Sequence, residues 1–140
     1  MKFYDIFIHD VSRLQQRYPY FEMIEVNHEI LKATAQLEID DQTKCAILAI
    51  DTSMRMQDLI NDKNKDKFVL STDLLSALFY HYLASPFHQH HFKVLTNSVA
   101  KQNELKQEYA LTKDEKLVQQ INDIFLLPFM TSNYINESGA

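Results

Sequence analysis

Residues 45–62 read CAILAIDTSMRMQDLIND, a stretch with the periodicity of a helix that is buried on most of its sides. At about 100° per residue, the charged side chains share one narrow arc of the helical wheel. They are Asp51, Arg55, Asp58 and Asp62. Apolar and small residues occupy most of the remaining positions. We therefore predict a core helix over about residues 43–61, capped by Asp40 or Asp41, with a single charged stripe.

The composition favours the same fold class for the whole chain. It has 140 residues, the size of one domain, and 46% of them are hydrophobic. It contains only one Gly and three Pro, whereas sheet proteins need many tight turns that draw on both residues. The expected fold is an all-α, single-domain bundle of about six helices over residues 1–130, followed by a flexible tail over residues 131–140.

Apolar spacing and proline positions place the two helices that precede the core helix. The first is expected over residues 3–18, where apolar side chains recur at steps of three and four, and it should end before Pro19. The second is expected to open at Pro19 and to run to about Ala35. The polar run over residues 61–67 is interpreted as a loop.

Three more helices are expected in the second half of the chain. Ser71 or Thr72 should cap the fourth, whose residues 74–84 are apolar nearly all round, as in helices buried in a core or against a partner. The fifth should begin at Ser85 and Pro86 and carry Phe87. The sixth should open at a capping box formed by Thr112 and Glu115 and end near Pro128.

Charge and cysteine content exclude several functional classes. The net charge is −5, and no basic patch with interleaved aromatic residues suggests a nucleic-acid partner. Cys45 is the only cysteine, so an internal disulfide and a cysteine-based zinc site are excluded, and we expect a buried small hydrophobe. The N-terminal residues lack an apolar signal core, and no 18-residue apolar run predicts a transmembrane segment. The cytoplasm is the default compartment.

Two interpretations of the charged stripe remain open from the residues alone. Asp58 and Asp62 lie four apart and could hold Mg²⁺ together with a diphosphate. Alternatively, Arg55 lies four residues after Asp51 and three before Asp58, and could pair with both or face a partner chain. We favour the second interpretation, because phosphates need nearby cations and this helix supplies one arginine that the aspartates already engage.

The histidines form a second candidate metal-binding group. The fragment HQHH contains His88, His90 and His91, with His81 upstream. Two imidazoles on one helix face are too few for a closed zinc site, so we interpret them as ordinary polar and half-buried residues. No nucleophile motif and no glycine-rich phosphate loop is present.

Two long strings in the middle of the chain carry a resemblance to a known family. AILAIDTSMRMQDLIND, residues 46–62, and FVLSTDLLSALFYHYLASPF, residues 68–87, resemble the small subunit (component I) of heterodimeric long-chain trans-prenyl diphosphate synthases. These are the hexaprenyl and heptaprenyl diphosphate synthases. The resemblance covers roughly residues 10–127.

The chain departs from the catalytic subunits of these synthases at their metal-binding motif. Those subunits carry DDxxD, an arginine pair, and then a helix opening VLxGDxLLA. QDLIN keeps only Asp58 of the first motif, and DLIND keeps Asp58 and Asp62 but lacks the middle aspartate. VLSTDLLSA is similar to the helix opening, with Thr72 in place of Gly and Asp73 matching. The resemblance thus implies a reduced relative of the isoprenoid synthase fold without catalytic or metal-binding residues; Mg²⁺ is expected on the catalytic subunit.

The resemblance also implies a function and a partner. It implies a non-catalytic accessory subunit, inactive alone, that is needed for activity and helps set product length. Its partner would be the DDxxD-bearing large subunit, which condenses isopentenyl diphosphate onto farnesyl diphosphate for menaquinone side-chain synthesis. Asp51, Arg55 and Asp58 would pair with one another or with that subunit.

Bulky apolar residues would then form the partner interface or the wall of the tunnel that holds the growing polyprenyl chain. The candidates are Met54, Leu75, Phe79 and Tyr82. Two other functions stay open: a helical adaptor or regulator unrelated to prenyl transfer, and a self-sufficient Mg²⁺-dependent enzyme acting on isoprenoid diphosphates.

Overall fold

A computed structural model describes residues 1–84 and 88–130, and all regular structure within these ranges is helical. The prediction of an all-α fold is confirmed, with seven helices in the described part of the chain instead of about six. They are α1 (Lys2–Arg17), α2 (His28–Ala35), α3 (Asp41–Asp58), α4 (Lys65–Ala84), α5 (Gln89–Thr112), α6 (Lys116–Asp123) and α7 (Leu127–Met130). No helix within the described ranges has the length and apolar character needed to cross a bilayer.

The chain forms two compact units, divided between His88 and Gln89. The first contains α1 to α4 and the second begins with α5. The assignment of residues 1–130 to a single domain stays a prediction. The tail over residues 131–140 and the expected helix start at Ser85, Pro86 and Phe87 lie outside the described residues.

α3 forms the centre of the first unit and packs most extensively against α4, with further contacts to α1 and α2. Every side chain of residues 45–54 is buried, as the sequence predicts for a core helix. The Asp40 side chain caps α3 by accepting a hydrogen bond from the Thr43 N–H at 3.1 Å. Burial on most sides and a satisfied N-terminus together stabilise this helix.

The connection between α3 and α4 is shorter than the sequence suggests. α3 ends at Asp58, three residues before the predicted end, and α4 begins at Lys65, inside the predicted loop. Two asparagines close the turn, because the Asn61 N–H donates to Asn64 Oδ1 at 2.8 Å and the Asn64 N–H donates to Asn61 Oδ1 at 3.0 Å. Asparagine side chains commonly replace backbone partners in this way at turns.

The predicted caps of α4 are wrong, since Ser71 and Thr72 lie inside the helix. Ser71 Oγ accepts a hydrogen bond from the Glu22 N–H at 2.9 Å, and the Thr72 hydroxyl donates to the Val69 carbonyl at 3.0 Å. The Ser71 hydroxyl therefore makes a tertiary hydrogen bond and the Thr72 hydroxyl an intrahelical one, and neither caps the N-terminus of α4. A local sequence pattern does not separate these uses of a serine or threonine.

The second helix begins later than predicted, at His28 instead of Pro19. Residues 21–27 are not helical, although Phe21 and Val26 in this segment are buried. The Glu22–Ser71 bond holds this irregular segment against α4, and the Asn27 side chain starts α2 by accepting from the Ile30 N–H at 3.0 Å. Tertiary contacts thus decide the start of α2 here.

In the second unit, α6 packs against α5, and the Gln102 amide donates to the Ile121 carbonyl at 3.0 Å. The predicted capping box is wrong, because Thr112 belongs to α5 and its hydroxyl donates to the Glu108 carbonyl. Glu115 is the N-cap residue of α6 but makes no side-chain capping bond. Lys113 ends α5 in the left-handed region, at φ 55°.

Candidate functional site

The four residues predicted to contact a partner or the product are all buried within this chain. Met54 lies on α3, and Leu75, Phe79 and Tyr82 lie on α4, which packs against it; their exposed fractions are 4%, 0%, 1% and 2%. They belong to the core of the first unit. A role for them in a product tunnel stays a prediction.

Tyr82 has a specific partner that connects α4 to α1. Its hydroxyl donates to Asp10 Oδ2 at 2.6 Å. Burial raises the pKa of this phenol, and the hydrogen bond to the Asp10 carboxylate raises it further. The tyrosine therefore stays a hydrogen-bond donor in the folded chain.

The charged stripe of α3 divides into a buried and an exposed part. Arg55 Nε donates to Asp51 Oδ2 at 2.8 Å, and the Asp51 side chain is only 3% exposed. Asp58 is the last residue of α3 and Asp62 lies in the following turn, both exposed. Because the helix ends at Asp58, the two carboxylates are not stacked one turn apart on a helix, as a metal site on α3 would require.

The side of α4 that faces away from the core is exposed and carries an aromatic and an aliphatic side chain, Tyr80 and Val69. We call it the outer face of α4. It consists of Asp66, Val69, Asp73, Ala77, Tyr80 and Ala84, all exposed and within an arc of about 80°. Val69 is 48% exposed and Tyr80 is 52% exposed. Ser71, Leu75, Phe79 and Tyr82 lie outside this arc and are buried.

The sequence of α4 is apolar nearly all round and does not indicate which side is buried. The exposure of the outer face identifies the opposite side as the buried one. One side packs into the chain's own core, and the other presents apolar side chains together with two carboxylates, Asp66 in the first turn and Asp73 farther along the helix. Aromatic side chains are enriched in protein interfaces, and charged residues are depleted at their centres. No sequence prediction assigned Val69 or Tyr80 to a partner surface. The charged residue Asp73 could have indicated which side of α4 is exposed.

A cavity of about 600 Å³ lies between α1 and α4. It is lined by Asp10, Arg13, Leu14, Gln16, Arg17, Leu78 and His81. Sequence reasoning did not assign Arg13 or Arg17 to a site, and it interpreted His81 only as part of a histidine cluster. The spacing of Asp10, Arg13 and Arg17 along one face of α1 was the signal that could have found it.

The remaining sequence candidates have ordinary structural contacts. His88 Nε2 lies 3.4 Å from Asp40 Oδ2. Burial tends to raise the pKa of Asp40, but hydrogen bonds from Thr43 and the charge of His88 outweigh it, so the pKa is lowered. The ring of His91 packs edge-on against Phe129 at 5.3 Å.

Cys45 is fully buried, as predicted, and its thiol donates to the Phe3 carbonyl at 3.1 Å. Burial raises the pKa of the thiol to about 12. Since the thiolate is the reactive form, this cysteine is unsuited to nucleophilic chemistry.

Comparison with known protein families identifies the family of this chain. A family model described as HexPS-like, hexaprenyl diphosphate synthase, small subunit, matches residues 1–130. The chain belongs to this family, and the resemblance of residues 10–127 is thereby confirmed and extended at both ends.

Proposed function

We propose that this member of the hexaprenyl diphosphate synthase small-subunit family is a non-catalytic accessory subunit that acts in a cytoplasmic heterodimer. Its partner would be the DDxxD-bearing catalytic subunit, which condenses isopentenyl diphosphate onto farnesyl diphosphate for menaquinone side-chain synthesis. The family match over residues 1–130 carries this proposal. The accessory chain would be needed for full activity and would help to set the length of the product.

The outer face of α4 is the surface through which we propose that the subunits pair. Tyr80 and Val69 are each about half exposed in the single chain. Covering the exposed half of such a side chain contributes roughly 1–1.5 kcal/mol. Asp73 lies between them on this face and would select a partner that offers a cation there.

The core residues behind this face would act on product length indirectly. Leu75, Phe79 and Tyr82 pack α4 against the rest of the first unit. A rigid helix can transmit a fixed shape to the partner, whose apolar tunnel would limit the growing polyprenyl chain. Direct contact between these residues and that chain would require α4 to move away from its own core.

We further propose that Mg²⁺ is bound by the catalytic subunit and not by this chain, and that the chain alone does not turn over substrate. Two features support this proposal. Arg55 pairs with Asp51 at 2.8 Å. Because α3 ends at Asp58, Asp58 and Asp62 do not lie on one face of this helix. The phosphates that normally complete a Mg²⁺ site would find no arginine pair on this helix.

Reconstitution tests the accessory function. The chain, its catalytic subunit, farnesyl diphosphate, labelled isopentenyl diphosphate and Mg²⁺ are combined, and rate and product length are read by chromatography. We expect both chains to be required for full activity. Equal rate and product length from the catalytic subunit alone, or turnover by the present chain alone, would overturn the proposal.

A paired substitution tests the docking surface separately. The double variant Val69→Glu, Tyr80→Glu should weaken heterodimer formation at least about tenfold, because it places carboxylates beside Asp73 in a covered apolar surface. The matched control is Tyr20→Glu, which changes a tyrosine that is 68% exposed and lies outside the outer face. Circular dichroism and urea denaturation should show both variants folded. Unchanged pairing of the double variant would exclude this face while leaving the accessory function standing.

A further inference from the structure

Residues 21–27 lead from the turn after α1 to the start of α2 and contain no helix, turn or bend. The backbone therefore continues through this segment without a sharp change of direction. The Phe21 and Val26 side chains are buried, and the Glu22 N–H donates to Ser71 Oγ at 2.9 Å. The segment is thus held against the first unit near both of its ends.

The backbone of residues 23–26 is unpaired within the part of the chain that the structure describes. None of the N–H or C=O groups of these four residues makes a hydrogen bond to another described residue. Backbone polar groups need a partner, which is water until another chain lies alongside. A row of such groups is what the edge of a sheet offers to an added strand.

A groove of about 240 Å³ lies between this segment and α1. Its apolar lining consists of Tyr4 and Ile8 of α1 and of Met23, Ile24 and Val26 of the segment. Ile8 is 39% exposed, so an apolar side chain placed in the groove would cover surface that water now contacts. The groove is smaller than small-molecule pockets, which measure roughly 300–1,000 Å³, and suits the side chains of a peptide.

The charge of the groove favours a basic partner. Glu25 and His28 complete its lining, and the described lining residues include no lysine or arginine. Within residues 1–84 and 88–130, the Glu25 carboxylate makes no hydrogen bond or ion pair. It is therefore available to a cation from outside the chain.

We propose that residues 23–26 and this groove bind an extended peptide segment of a partner protein. The peptide backbone pairs with the unpaired backbone of residues 23–26, which supplies affinity, and its alternate side chains enter the groove, which supplies specificity. Apolar side chains lie against Ile8 and Met23, and a basic side chain pairs with Glu25. This inference goes beyond the proposed accessory function and does not depend on it, because no residue of the outer face of α4 lines the groove.

Calorimetry on the full-length chain tests the surface with defined peptides. The acetylated and amidated heptapeptide KVKIKVK is compared with EVEIEVE, which keeps the alternation and reverses the charge. We expect KVKIKVK to bind with one site per chain, and EVEIEVE to bind at least about tenfold more weakly. No binding of KVKIKVK, or equal affinities of the two peptides, would overturn the proposal.

N-methylated analogues of KVKIKVK test the backbone pairing. Methyl groups on the valine and isoleucine nitrogens block one edge of the extended peptide, and methyl groups on the inner lysine nitrogens block the other edge. One analogue should keep its affinity, and the other should lose at least about tenfold. Amide exchange within residues 23–26 should slow only with the analogue that binds. Equal affinities of the two analogues would refute the pairing.

Variants of the chain locate the peptide in the groove. Ile8→Ser should weaken binding of KVKIKVK about fivefold through lost apolar contact, and Glu25→Lys about tenfold through charge repulsion. The matched controls are Ile60→Ser, at an isoleucine that is 36% exposed, and Glu38→Lys, at an exposed glutamate; neither residue lines the groove. Losses in the controls equal to those in the groove variants, or no loss in either groove variant, would refute the assignment.

The docking variant separates this proposal from the proposed function. Val69→Glu, Tyr80→Glu should bind KVKIKVK as the unsubstituted chain does, because neither side chain lines the groove. Loss of binding in Val69→Glu, Tyr80→Glu with no loss in Ile8→Ser would place the peptide on the outer face of α4 and would overturn the proposal.

Discussion

Replacing Tyr82 with phenylalanine should destabilise the chain without touching any exposed surface. The substitution removes the hydroxyl that donates to Asp10 Oδ2 at 2.6 Å and leaves a ring that is 2% exposed in place. A hydrogen bond to a charged group contributes about 1.5–3 kcal/mol. Because Asp10 is only half-buried and can recruit water once freed, we expect the lower part of that range, about 1.5–2 kcal/mol.

Urea denaturation followed by far-ultraviolet circular dichroism measures this change. The urea concentration at the unfolding midpoint should fall. The slope of the unfolding free energy against urea concentration should stay unchanged, because the same surface is exposed on unfolding. Tyr20→Phe is the matched control, since that tyrosine is 68% exposed. It should lie within about 0.5 kcal/mol of the unsubstituted chain.

A double-mutant cycle with Asp10→Asn isolates the bond from other effects of each substitution. If Tyr82 and Asp10 act together, the double variant should be less destabilised than the sum of the two single variants. The reasoning would be refuted by additive effects, or by a Tyr82→Phe variant as stable as the unsubstituted chain. Either result would mean that the α1–α4 contact does not depend on this hydrogen bond.

Three further predictions concern single residues of the first unit and one concerns the second. Cys45, whose pKa is about 12, should resist thiol reagents in the native chain and react at the rate of unfolding, as followed by absorbance of the released chromophore. Asp40→Ala should cost about 0.5–2 kcal/mol in urea denaturation at neutral pH. Since the folded pKa of Asp40 is lowered, that difference should hold above the unfolded value of 3.8 and shrink as the pH falls through the folded value. Arg55→Met should destabilise by about 3 kcal/mol in the same assay, because Asp51 would keep a buried charge without its arginine. Lys113→Gly should stabilise by about 1 kcal/mol in thermal denaturation, since its φ of 55° suits glycine; a loss of stability would show that the lysine side chain contributes more than the backbone strain costs.

The pattern of residues 45–62 was sufficient to predict the central helix and its burial. Helical periodicity is a local property, and a helix buried on most sides shows it in its own composition. The nearly complete absence of glycine excluded a sheet protein for an equally local reason. The spacing favoured a pair between Arg55 and Asp51, because residues four apart on a helix are neighbours, and the structure contains that pair.

Helix boundaries required the tertiary structure wherever a polar side chain had more than one possible partner. Ser71 accepts from Glu22, 49 residues away in the chain, and is therefore not free to start a helix. Phe21 and Val26 are buried in an irregular segment where the apolar spacing alone indicated a helix. In both places a contact between distant residues overrides the local preference.

The sequence by itself thus determined the fold class, the core helix and the family, since each depends on residues close together in the chain or on long shared strings. Only the tertiary structure decided which side of α4 is covered, because a helix that is apolar nearly all round carries little internal signal of direction. It placed Tyr82 in the core and Tyr80 outside, two residues apart on one helix. It also brought Arg13 and Arg17 of α1 to one cavity with His81 of α4. Such a juxtaposition follows from packing between distant segments, which no local periodicity encodes.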